Sequence, residues 1–404
     1  MADAVPLGGV VGTRELSTSV GKARIQDADV LIAGGGPAGA AAAIVLARAG
    51  CRVLLVEREA APREKVCGEF LGADAHACLM ALGIDLAALG AVPMTEAHIA
   101  RQKGRVDAVA LTLPFTAWGL PRAILDGALL DAAAEAGATL VRGQAVRDAS
   151  RGADGWCLRL ANGKHLTAPR LVLATGKHAL RGFPRAGAVD GWIGVKLHLW
   201  LRAPLHAVTL LPFGSGYAGL QPSTDGEANL CAALAPGLGA AGRNSEAFLA
   251  MVSAGSALGA TILEGARPAA PRPLAVGGVP YGLLHRDGTG ADPALWRVGD
   301  QFAVIPSFLG DGIAMALVGG MVAGAAILNG EPAQAFHSAW RRRLAAPMRM
   351  AAVAGFVLRR SPGFFAEIVA NAPDVARFII KRTRVAGPGR SDFMSLDRGR
   401  PDPR

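Results

Sequence analysis

The sequence predicts an α/β protein that has a parallel sheet, an inserted antiparallel sheet and a helical C-terminal segment. The first observation is a strand–helix–strand pattern between Asp29 and Val56, in which the helix crosses over between parallel strands. The second is a series of runs from Trp192 to Leu234 with the two-residue period of antiparallel strands. The third is the pattern after Glu331, which is helical as far as about Arg384.

The composition is that of a large globular chain. The 404 residues are 51% hydrophobic and 18% charged, with a mean hydropathy of +0.32. At about 150 residues per domain, this length predicts two to three domains. The apolar content excludes a chain that is disordered throughout. The 53 glycines and 25 prolines follow no repeat period, which excludes a coiled coil or a fibre.

Most of the positive charge lies at the C-terminal end. Fourteen basic and five acidic residues follow Trp340, so this stretch carries +9 of the net charge of +10. A basic segment on a nearly neutral body predicts an anionic partner surface, such as the inner face of a membrane. No aromatic stacking pattern accompanies the arginines, which argues against nucleic acid as a partner.

Cysteine usage and the apolar runs bear on the compartment. Five cysteines without a CxxC pair argue against a disulfide framework and favour a reducing, cytoplasmic compartment. Residues 1–27 lack the pattern of a signal peptide and are expected to be a disordered lead. The uncharged runs Val30–Ala47 and Gly312–Gly330 are interrupted by glycine clusters, so we expect buried helices there rather than membrane spans.

The remaining elements follow from local patterns. The runs Asp29–Ala33 and Arg52–Val56 predict buried strands, and a helix from Pro37 to Ala49 joins them and stops at Gly50. Further helices are predicted at Ala73–Leu82, Arg122–Ala136 and Gly312–Leu328, and further strands near Val106–Leu113 and at Thr139–Val141, Trp156–Leu160, Leu171–Ala174 and Ala294–Asp300.

A glycine motif lies between the first strand and the first helix. Gly34, Gly36 and Gly39 form G-x-G-x-x-G, in which Gly34 permits the tight turn and Gly36 lets a pyrophosphate approach the helix N-terminus. Gly39 lets the helix pack close to the sheet. Glu57 ends the second strand about twenty residues on, where a carboxylate binds a ribose. Together these features predict a dinucleotide site.

A second motif selects FAD over NAD. Asp300 follows a predicted strand, and after Pro306 the glycines Gly310 and Gly312 open a helix. An acid at a strand end and glycines at a helix start form a second clamp for phosphate and polyol groups, which the longer FAD needs.

The motifs resemble those of a known flavoprotein family. The segments GGGPAGAAAA with VER, EKVCGEFL, Arg122 with Asp126, and GDQFAVIPSFLGDGIAMAL are similar to the FAD-dependent oxidoreductases of the para-hydroxybenzoate hydroxylase fold. Within that fold they are closest to the geranylgeranyl reductase-like family. The resemblance runs from Asp29 to about Leu328 and implies a Rossmann-like FAD-binding domain of the GR2 type.

The resemblance assigns roles in binding FAD. It places Glu57 at the adenosine ribose, Val146 at the adenine, Asp300 at the ribityl chain and Arg122 against the cofactor. The pyrophosphate and isoalloxazine contacts and the further candidates are Gly34, Gly36, Ala38, Gly39, Arg58, Gly176, Gly310, Gly312 and Ile313. FAD is the expected cofactor, and NAD(P)H or another donor would bind only transiently.

Three departures from related patterns narrow the chemistry. The monooxygenase Asp-Gly motif is replaced by Ala174-Thr175-Gly176-Lys177-His178, which has no acid and argues against direct NADPH use. The reductase Tyr-x-Trp-x-Phe-Pro strand is matched by YAGLQP, which keeps Tyr217 and Pro222 but has Gly219 and Gln221, so we expect a wider and more polar cavity. The Trp-x-Trp-x-Ile-Pro signature of halogenases is absent, which argues against halogenation.

The resemblance also suggests catalytic groups. Cys67 matches a cysteine beside the flavin, and the neighbouring Arg63 and Lys65 are expected to favour its thiolate. Tyr217 is the second catalytic candidate, Glu69 a weaker acid–base candidate, and His178 is expected at the surface. The eight histidines show no HxxxH or HExxH spacing, so no metal site is predicted.

The predicted division assigns 28–95, 120–185 and 291–330 to the FAD-binding domain and 96–119 and 186–290 to the substrate domain. Helices at 331–386 and a flexible tail at 387–404 follow.

Three functions stay open: reduction of a carbon–carbon double bond in a largely apolar substrate, hydroxylation of an aromatic or polyketide-like substrate, or flavin binding at a membrane without turnover. The C-terminal helices suit either a membrane interface or a cap over the substrate cavity.

Overall fold

The structure is a computed structural model that describes residues 28–101, 108–185, 191–214, 216–236 and 243–385. The predicted lead at 1–27 and the predicted tail at 387–404 lie outside these ranges.

The described residues form seventeen strands and nine helices. The strands are β1 (Val30–Ala33), β2 (Val53–Val56), β3 (Phe70–Leu71), β4 (Val92–Ala100), β5 (Ala108–Gly119), β6 (Thr139–Val141), β7 (Val146–Gly152), β8 (Gly155–Leu160), β9 (His165–Ala168), β10 (Arg170–Leu173), β11 (Trp192–Trp200), β12 (Val208–Phe213), β13 (Gly216–Pro222), β14 (Ala228–Leu234), β15 (Arg267–Pro268), β16 (Leu274–Val279) and β17 (Leu295–Arg297). The helices are α1 (Pro37–Arg48), α2 (Ala73–Ala81), α3 (Arg122–Glu135), α4 (Ser245–Ser253), α5 (Ala257–Ile262), α6 (Gly312–Leu328), α7 (Ala333–Arg360), α8 (Pro362–Asn371) and α9 (Pro373–Thr383).

A five-stranded parallel sheet, in the order β17-β10-β1-β2-β6, forms the Rossmann-like layer. Its three central strands, β10, β1 and β2, are largely buried on both faces, which is why they are continuous apolar runs. In β1, Val30 and Ile32 join the cluster that contains the helices, whereas Leu31 and Ala33 pack with the small sheet β7-β8-β9.

Close contact between α1 and α6 covers the helix side of this sheet. A Cβ atom at Gly320 would lie 2.1 Å from the carbonyl oxygen of Ala38, and one at Gly324 would lie 2.9 Å from Cγ1 of Val45. Only glycine allows this approach. Helix α6 is buried along most of its length, as predicted. Within the described ranges, no helix is both long and apolar enough to cross a membrane.

The larger sheet has nine strands, in the order β15-β11-β14-β13-β12-β4-β5-β3, with β16 also paired to β11. Most pairs are antiparallel, as predicted for Trp192–Leu234, but β12 and β4 run parallel. Strand β4 was not predicted because it contains Pro93 and its register shifts between Met94 and Glu96, which breaks the alternation. Because β4 begins at Val92, it crosses the predicted domain boundary at 95.

Two other expectations about elements need correction. Strand β17 is shorter than the predicted Ala294–Asp300, because the chain turns at Gly299, whose φ is +58°. Helices α4 and α5 were not predicted; they are short, and Phe248 and Val252 pack with the larger sheet. The helical character of the C-terminal segment is confirmed by α7, α8 and α9.

Candidate active site

One cavity of about 950 Å³ extends from the edge of the parallel sheet to the C-terminal helices. Every predicted site residue except Gly39 lines this cavity, and the set is Gly34, Gly36, Ala38, Glu57, Arg58, Cys67, Arg122, Val146, Gly176, Tyr217, Asp300, Gly310, Gly312 and Ile313. Gly39 acts in packing instead, since a Cβ atom there would lie 1.9 Å from the carbonyl oxygen of Gly34.

The first glycine motif forms an open anion cradle. Gly34 adopts a φ of +110°, and a Cβ atom there would meet the carbonyl oxygen of Ala174 at 2.3 Å. Gly36 faces open space, since a Cβ atom there would have no neighbour nearer than the Arg122 guanidinium at 4.0 Å. No side chain caps α1 at Gly36, so its first N–H groups stay available to a ligand.

Glu57 is positioned by the same turn. Its carboxylate accepts hydrogen bonds from the backbone N–H of Gly35 at 2.7 Å and of Glu59 at 3.1 Å. The side chain is buried but lines the cavity, where the ribose contact is predicted. Val146 lies on the wall beside Gln144 and Ala145.

The second glycine motif forms the opposite wall. Gly310 has a φ of +74°, and a Cβ atom at Gly312, the first residue of α6, would meet nothing within 4 Å. Asp300 faces the cavity, with the Lys177 ammonium 3.7 Å from its carboxylate. Two open helix N-termini and two acids along one cavity fit the phosphates and the hydroxyl groups of FAD.

Arg122 is buried at the start of α3, not at the surface. Its guanidinium makes a two-pronged ion pair with Asp126 at 2.9 Å, and Lys65 contacts the same carboxylate at 2.8 Å. Burial acts to lower the pKa of Arg122, but Asp126 and Cys67 outweigh it and hold the pKa above its usual range.

Cys67 lies half-buried in the loop before β3, where its sulfur accepts a hydrogen bond from the backbone N–H of Glu69 at 3.4 Å. The side-chain amide of Asn229 holds the loop by donating to the carbonyl oxygens of Cys67 at 3.2 Å and Gly68 at 2.9 Å. The expected role of Arg63 and Lys65 needs correction. Arg63 pairs with Glu59, and Lys65 pairs with Asp126, so both cations are bound to carboxylates rather than to the thiol.

A buried charge cluster beside this loop was largely missed by the sequence reasoning. Lys196, only 2% exposed, forms ion pairs with both Glu64 and Glu69. His198 contacts Glu69 at 2.9 Å and Glu227 at 3.4 Å. Lys196 and His198 occupy the polar positions of the alternating strand β11, which normally face solvent, so only the tertiary structure shows that they are enclosed.

The charged groups of this cluster act as counterions to one another and shift the pKa values of its acids. Burial acts to raise the pKa of Glu69, but His198 and Lys196 outweigh it and hold the pKa below its usual value. For Glu64, burial and the nearby Glu69 raise the pKa above its usual value, although Lys196 acts in the opposite direction. Glu64, Glu69 and His198 could approach one metal ion, but the Lys196 ammonium already contacts both carboxylates.

Glu69 also has an unusual backbone conformation. Its φ of +60° is the one positive value at a non-glycine residue among the described ranges. Its carboxylate accepts a hydrogen bond from the backbone N–H of Arg122 at 2.7 Å, which compensates for the strain. Glu69, which sequence reasoning ranked as a weak acid–base candidate, thus holds the Cys67 loop against α3.

A hydroxyl cluster lies at the far side of the cavity. Tyr217 and Tyr281, the two tyrosines of the chain, both contact the hydroxyl of Ser307, at 3.0 and 2.9 Å. The ring of Tyr217 packs edge-on against Phe308, and burial raises the pKa of Tyr217 to about 12. Its phenol therefore stays protonated at neutral pH.

The end of the cavity beyond these groups is apolar and is lined by the C-terminal helices. Ala354 and Val357 of α7, Val369 of α8 and Ile380 of α9 line it. Arg384, just after α9, ties this layer to the loop before α6 through an ion pair with buried Asp311. His178 lies exposed at the other end, where partial desolvation by its neighbours and the surrounding cations lower its pKa.

Comparisons with known proteins show which families this chain is similar to. Residues 27–180 match the FAD binding domain family. Over 232 residues the chain is 32% identical to a menaquinone reductase from Mycolicibacterium smegmatis, which covers 50% of this chain and 54% of the relative. It is also 30% identical over 329 residues to digeranylgeranylglycerophospholipid reductase 2 from Methanopyrus kandleri, covering 73% of this chain and 76% of the relative.

Solved structures share the fold. A flavin-dependent brominase superposes with a TM-score of 0.74 at 18% identity, covering 92% of this chain and 100% of that one. A geranylgeranyl bacteriochlorophyll reductase-like protein from Thermoplasma acidophilum superposes with a TM-score of 0.65 at 18% identity, covering 92% and 96%. The match to the menaquinone reductases spans about half their length. The sequence motifs, the fold and the digeranylgeranylglycerophospholipid reductase match together show that this chain belongs to the FAD-dependent oxidoreductases of the para-hydroxybenzoate hydroxylase fold, in the geranylgeranyl reductase-like family.

Proposed function

We propose that this protein reduces a carbon–carbon double bond in a largely apolar molecule. The observation that supports this most directly is the cavity of about 950 Å³, whose polar end fits FAD and whose other end is apolar and lined by α7, α8 and α9. Two relatives named as reductases, one of menaquinone and one of digeranylgeranylglycerophospholipid, support the same reaction class. Bound FAD, once reduced, supplies the hydride.

The protein's own groups then hold the substrate and supply the proton. Glu64 lines the cavity and is 31% exposed at its side chain, and burial and the nearby Glu69 raise its pKa above the usual value, so we assign it the role of proton donor. Cys67, three residues further on, lies on the same wall and is proposed to orient the substrate. The C-terminal helices exclude water from the reacting bond.

The opening of the cavity indicates how such a substrate arrives. Val353 and Val375 line the cavity yet are 64% and 47% exposed, and Phe356 and Phe378 follow each of them three residues later at 62% and 50% exposure. Residues three apart lie on one helix face. Phe364 on α8 is equally exposed. With basic residues interleaved, this surface suits an anionic membrane, from which an apolar substrate would enter.

Turnover by reduced holoprotein tests the proposal. The flavin is photoreduced without oxygen, menaquinone or geranylgeraniol is added in detergent, and the flavin absorbance and product mass are followed. We expect flavin reoxidation with a geranylgeraniol product heavier by two hydrogen atoms, and with a menaquinone product that keeps its two added hydrogen atoms after air has reoxidised any quinol ring. The Cys67→Ala variant should retain FAD but lose most of this turnover, and Cys157→Ala, in β8, is the matched control.

The alternatives have distinct outcomes. A product that gains an oxygen atom when air is admitted would replace the reductase by a monooxygenase, for which the buried, cavity-lining Gln221 is the supporting feature. If neither compound reoxidises the flavin and no product forms with or without air, the protein binds flavin without turnover.

A further inference from the structure

The hydroxyl groups of Ser307, Tyr217 and Tyr281 form a hydrogen-bonded cluster on the cavity wall. Tyr281 donates to the Ser307 oxygen at 2.9 Å. The Tyr217 and Ser307 oxygens lie 3.0 Å apart, and either hydroxyl can donate the hydrogen bond between them. The three hydroxyl groups thus carry three hydrogens, of which two are used in hydrogen bonds within the cluster.

One hydroxyl hydrogen of the cluster is left for the cavity, and it belongs to Ser307 or to Tyr217. Ser307 is exposed on the cavity wall, whereas Tyr217 is buried, so Ser307 is the hydroxyl that a ligand reaches. Burial raises the pKa of both tyrosines, which keeps their hydrogens in place at neutral pH. The cluster thus presents one donor to the cavity, strengthened by the hydrogen bonds behind it.

The surroundings make that donor selective. Tyr217 is 3% exposed, and Phe308, Phe365 and Leu358 pack with it into an apolar cluster. A ligand that fills this region removes water from Ser307, and a pure hydrocarbon would leave its O–H without an acceptor. An unsatisfied buried donor is costly, whereas an accepting oxygen on the ligand satisfies it.

We propose that Ser307, held by Tyr217 and Tyr281, binds a carbonyl oxygen on the otherwise apolar substrate. Ser307 lies in the loop before Gly310 and Gly312, so the cluster is located between the FAD end and the apolar end of the cavity. This inference rests on the proposed function for its substrate class and narrows it to apolar molecules that carry an accepting oxygen. Ser307 and Tyr281 were not among the candidates found from sequence.

Binding to oxidised holoprotein tests this inference without turnover. The probes are 2-methyl-1,4-naphthoquinone and 2-methylnaphthalene, which share a ring framework and differ in the carbonyl oxygens. Their Kd values are measured from the change in the flavin absorbance spectrum. Wild type should bind the quinone more tightly, and Ser307→Ala should weaken quinone binding about fivefold, within the range of one neutral hydrogen bond.

Matched variants separate hydrogen bonding from shape. Ser307→Ala should leave the Kd of 2-methylnaphthalene within about twofold of wild type, and Ser307→Thr, which keeps a hydroxyl, should retain most of the quinone preference. Tyr281→Phe should weaken quinone binding less than Ser307→Ala, because Ser307 keeps its hydroxyl and its hydrogen bond with Tyr217.

Several results would overturn the inference. They are equal weakening of both probes by Ser307→Ala, no weakening of the quinone, or no binding of either probe to wild type. Failure of the proposed reductase function is recognised separately, as absence of a reduced product. A quinone preference that depends on Ser307 would stand even then.

Discussion

At the scale of single residues, Gly34 and Gly36 lie two positions apart but have different roles. Gly34 needs its positive φ and leaves no room for a Cβ atom, whereas Gly36 has an ordinary φ of −74° and open space beside it. The fold therefore depends on Gly34, and the ligand on Gly36.

Alanine at each position separates these duties. We expect Gly34→Ala to lower the free energy of unfolding of the apoprotein by about 2–4 kcal/mol, because it adds strain and a clash with Ala174. Gly36→Ala should leave apoprotein stability nearly unchanged yet weaken FAD binding at least about tenfold, because its methyl group occupies the phosphate approach. Urea unfolding and FAD titration measure the two effects. Equal loss of stability in both variants would contradict this assignment.

Glu64 is the residue whose protonation should govern turnover. Burial and Glu69 raise its pKa, so its proton is present below that raised pKa and is lost as the pH rises through it. The rate of double-bond reduction should therefore fall with rising pH. Glu64→Gln should remove this dependence and lower the rate by about 10²–10⁴-fold.

The control for this variant is Glu264→Gln, which removes an exposed carboxylate paired with Arg202. It should keep the wild-type rate and pH profile. A Glu64→Gln enzyme with an unchanged pH profile would show that another group supplies the proton.

At the scale of elements, a histidine couples α7 to the parallel sheet. The Nε2 atom of His337 accepts a hydrogen bond from the backbone N–H of Arg297 in β17 at 2.9 Å. Its Nδ1 atom contacts Asp287 at 2.8 Å, so the neutral ring carries its hydrogen on Nδ1 and donates it there. His285, Asp287 and His337 could approach one metal ion, but both nitrogens of His337 are already used.

Acid should therefore loosen this junction. Burial lowers the pKa of His337 from 6.5 to about 4, so the unfolded chain binds a proton at higher pH than the folded one. Its contribution to stability is complete above pH 6.5 and is lost as the pH falls towards 4. Between pH 7 and 4.5, His337→Gln should lose about 2 kcal/mol less stability than wild type. Denaturant unfolding across this range measures the slope, and parallel curves for the two proteins would contradict the prediction.

At the scale of the whole molecule, the apolar face around the cavity opening should bind membranes. Its exposed aromatic residues are Phe356, Phe364 and Phe378. We expect sedimentation with vesicles that contain anionic phosphatidylglycerol, weaker sedimentation with neutral phosphatidylcholine, and a further decrease as salt is raised.

Substitution of the three phenylalanines by serine should reduce vesicle binding at least about tenfold, because each buries apolar area at the interface. The matched control is Met80→Ser, which replaces an exposed apolar residue on α2. FAD content should be unchanged in both proteins. Equal vesicle binding by the triple variant and wild type would remove the membrane from the proposed function.

The FAD end of the protein was predictable from sequence because its determinants are local. The turn at Gly34, the open helix start at Gly36 and the acid at Glu57 all lie within one strand–helix–strand unit, where spacing alone sets their positions. The buried parallel strands and α6 were predictable for the same reason, since each is one continuous apolar run.

The tertiary structure decided what distant segments do together. Lys196 and His198 have the two-residue spacing of side chains on the solvent-facing side of a strand. Only the packing of β11 beside the Cys67 loop encloses them with Glu69. Ser307 acquires its role because Tyr217 and Tyr281 reach it from other strands and loops. Periodicity reports which face of an element is apolar, but it carries no information about which other element will cover that face. The cofactor was therefore determined by local sequence, and the surroundings of the substrate by the fold.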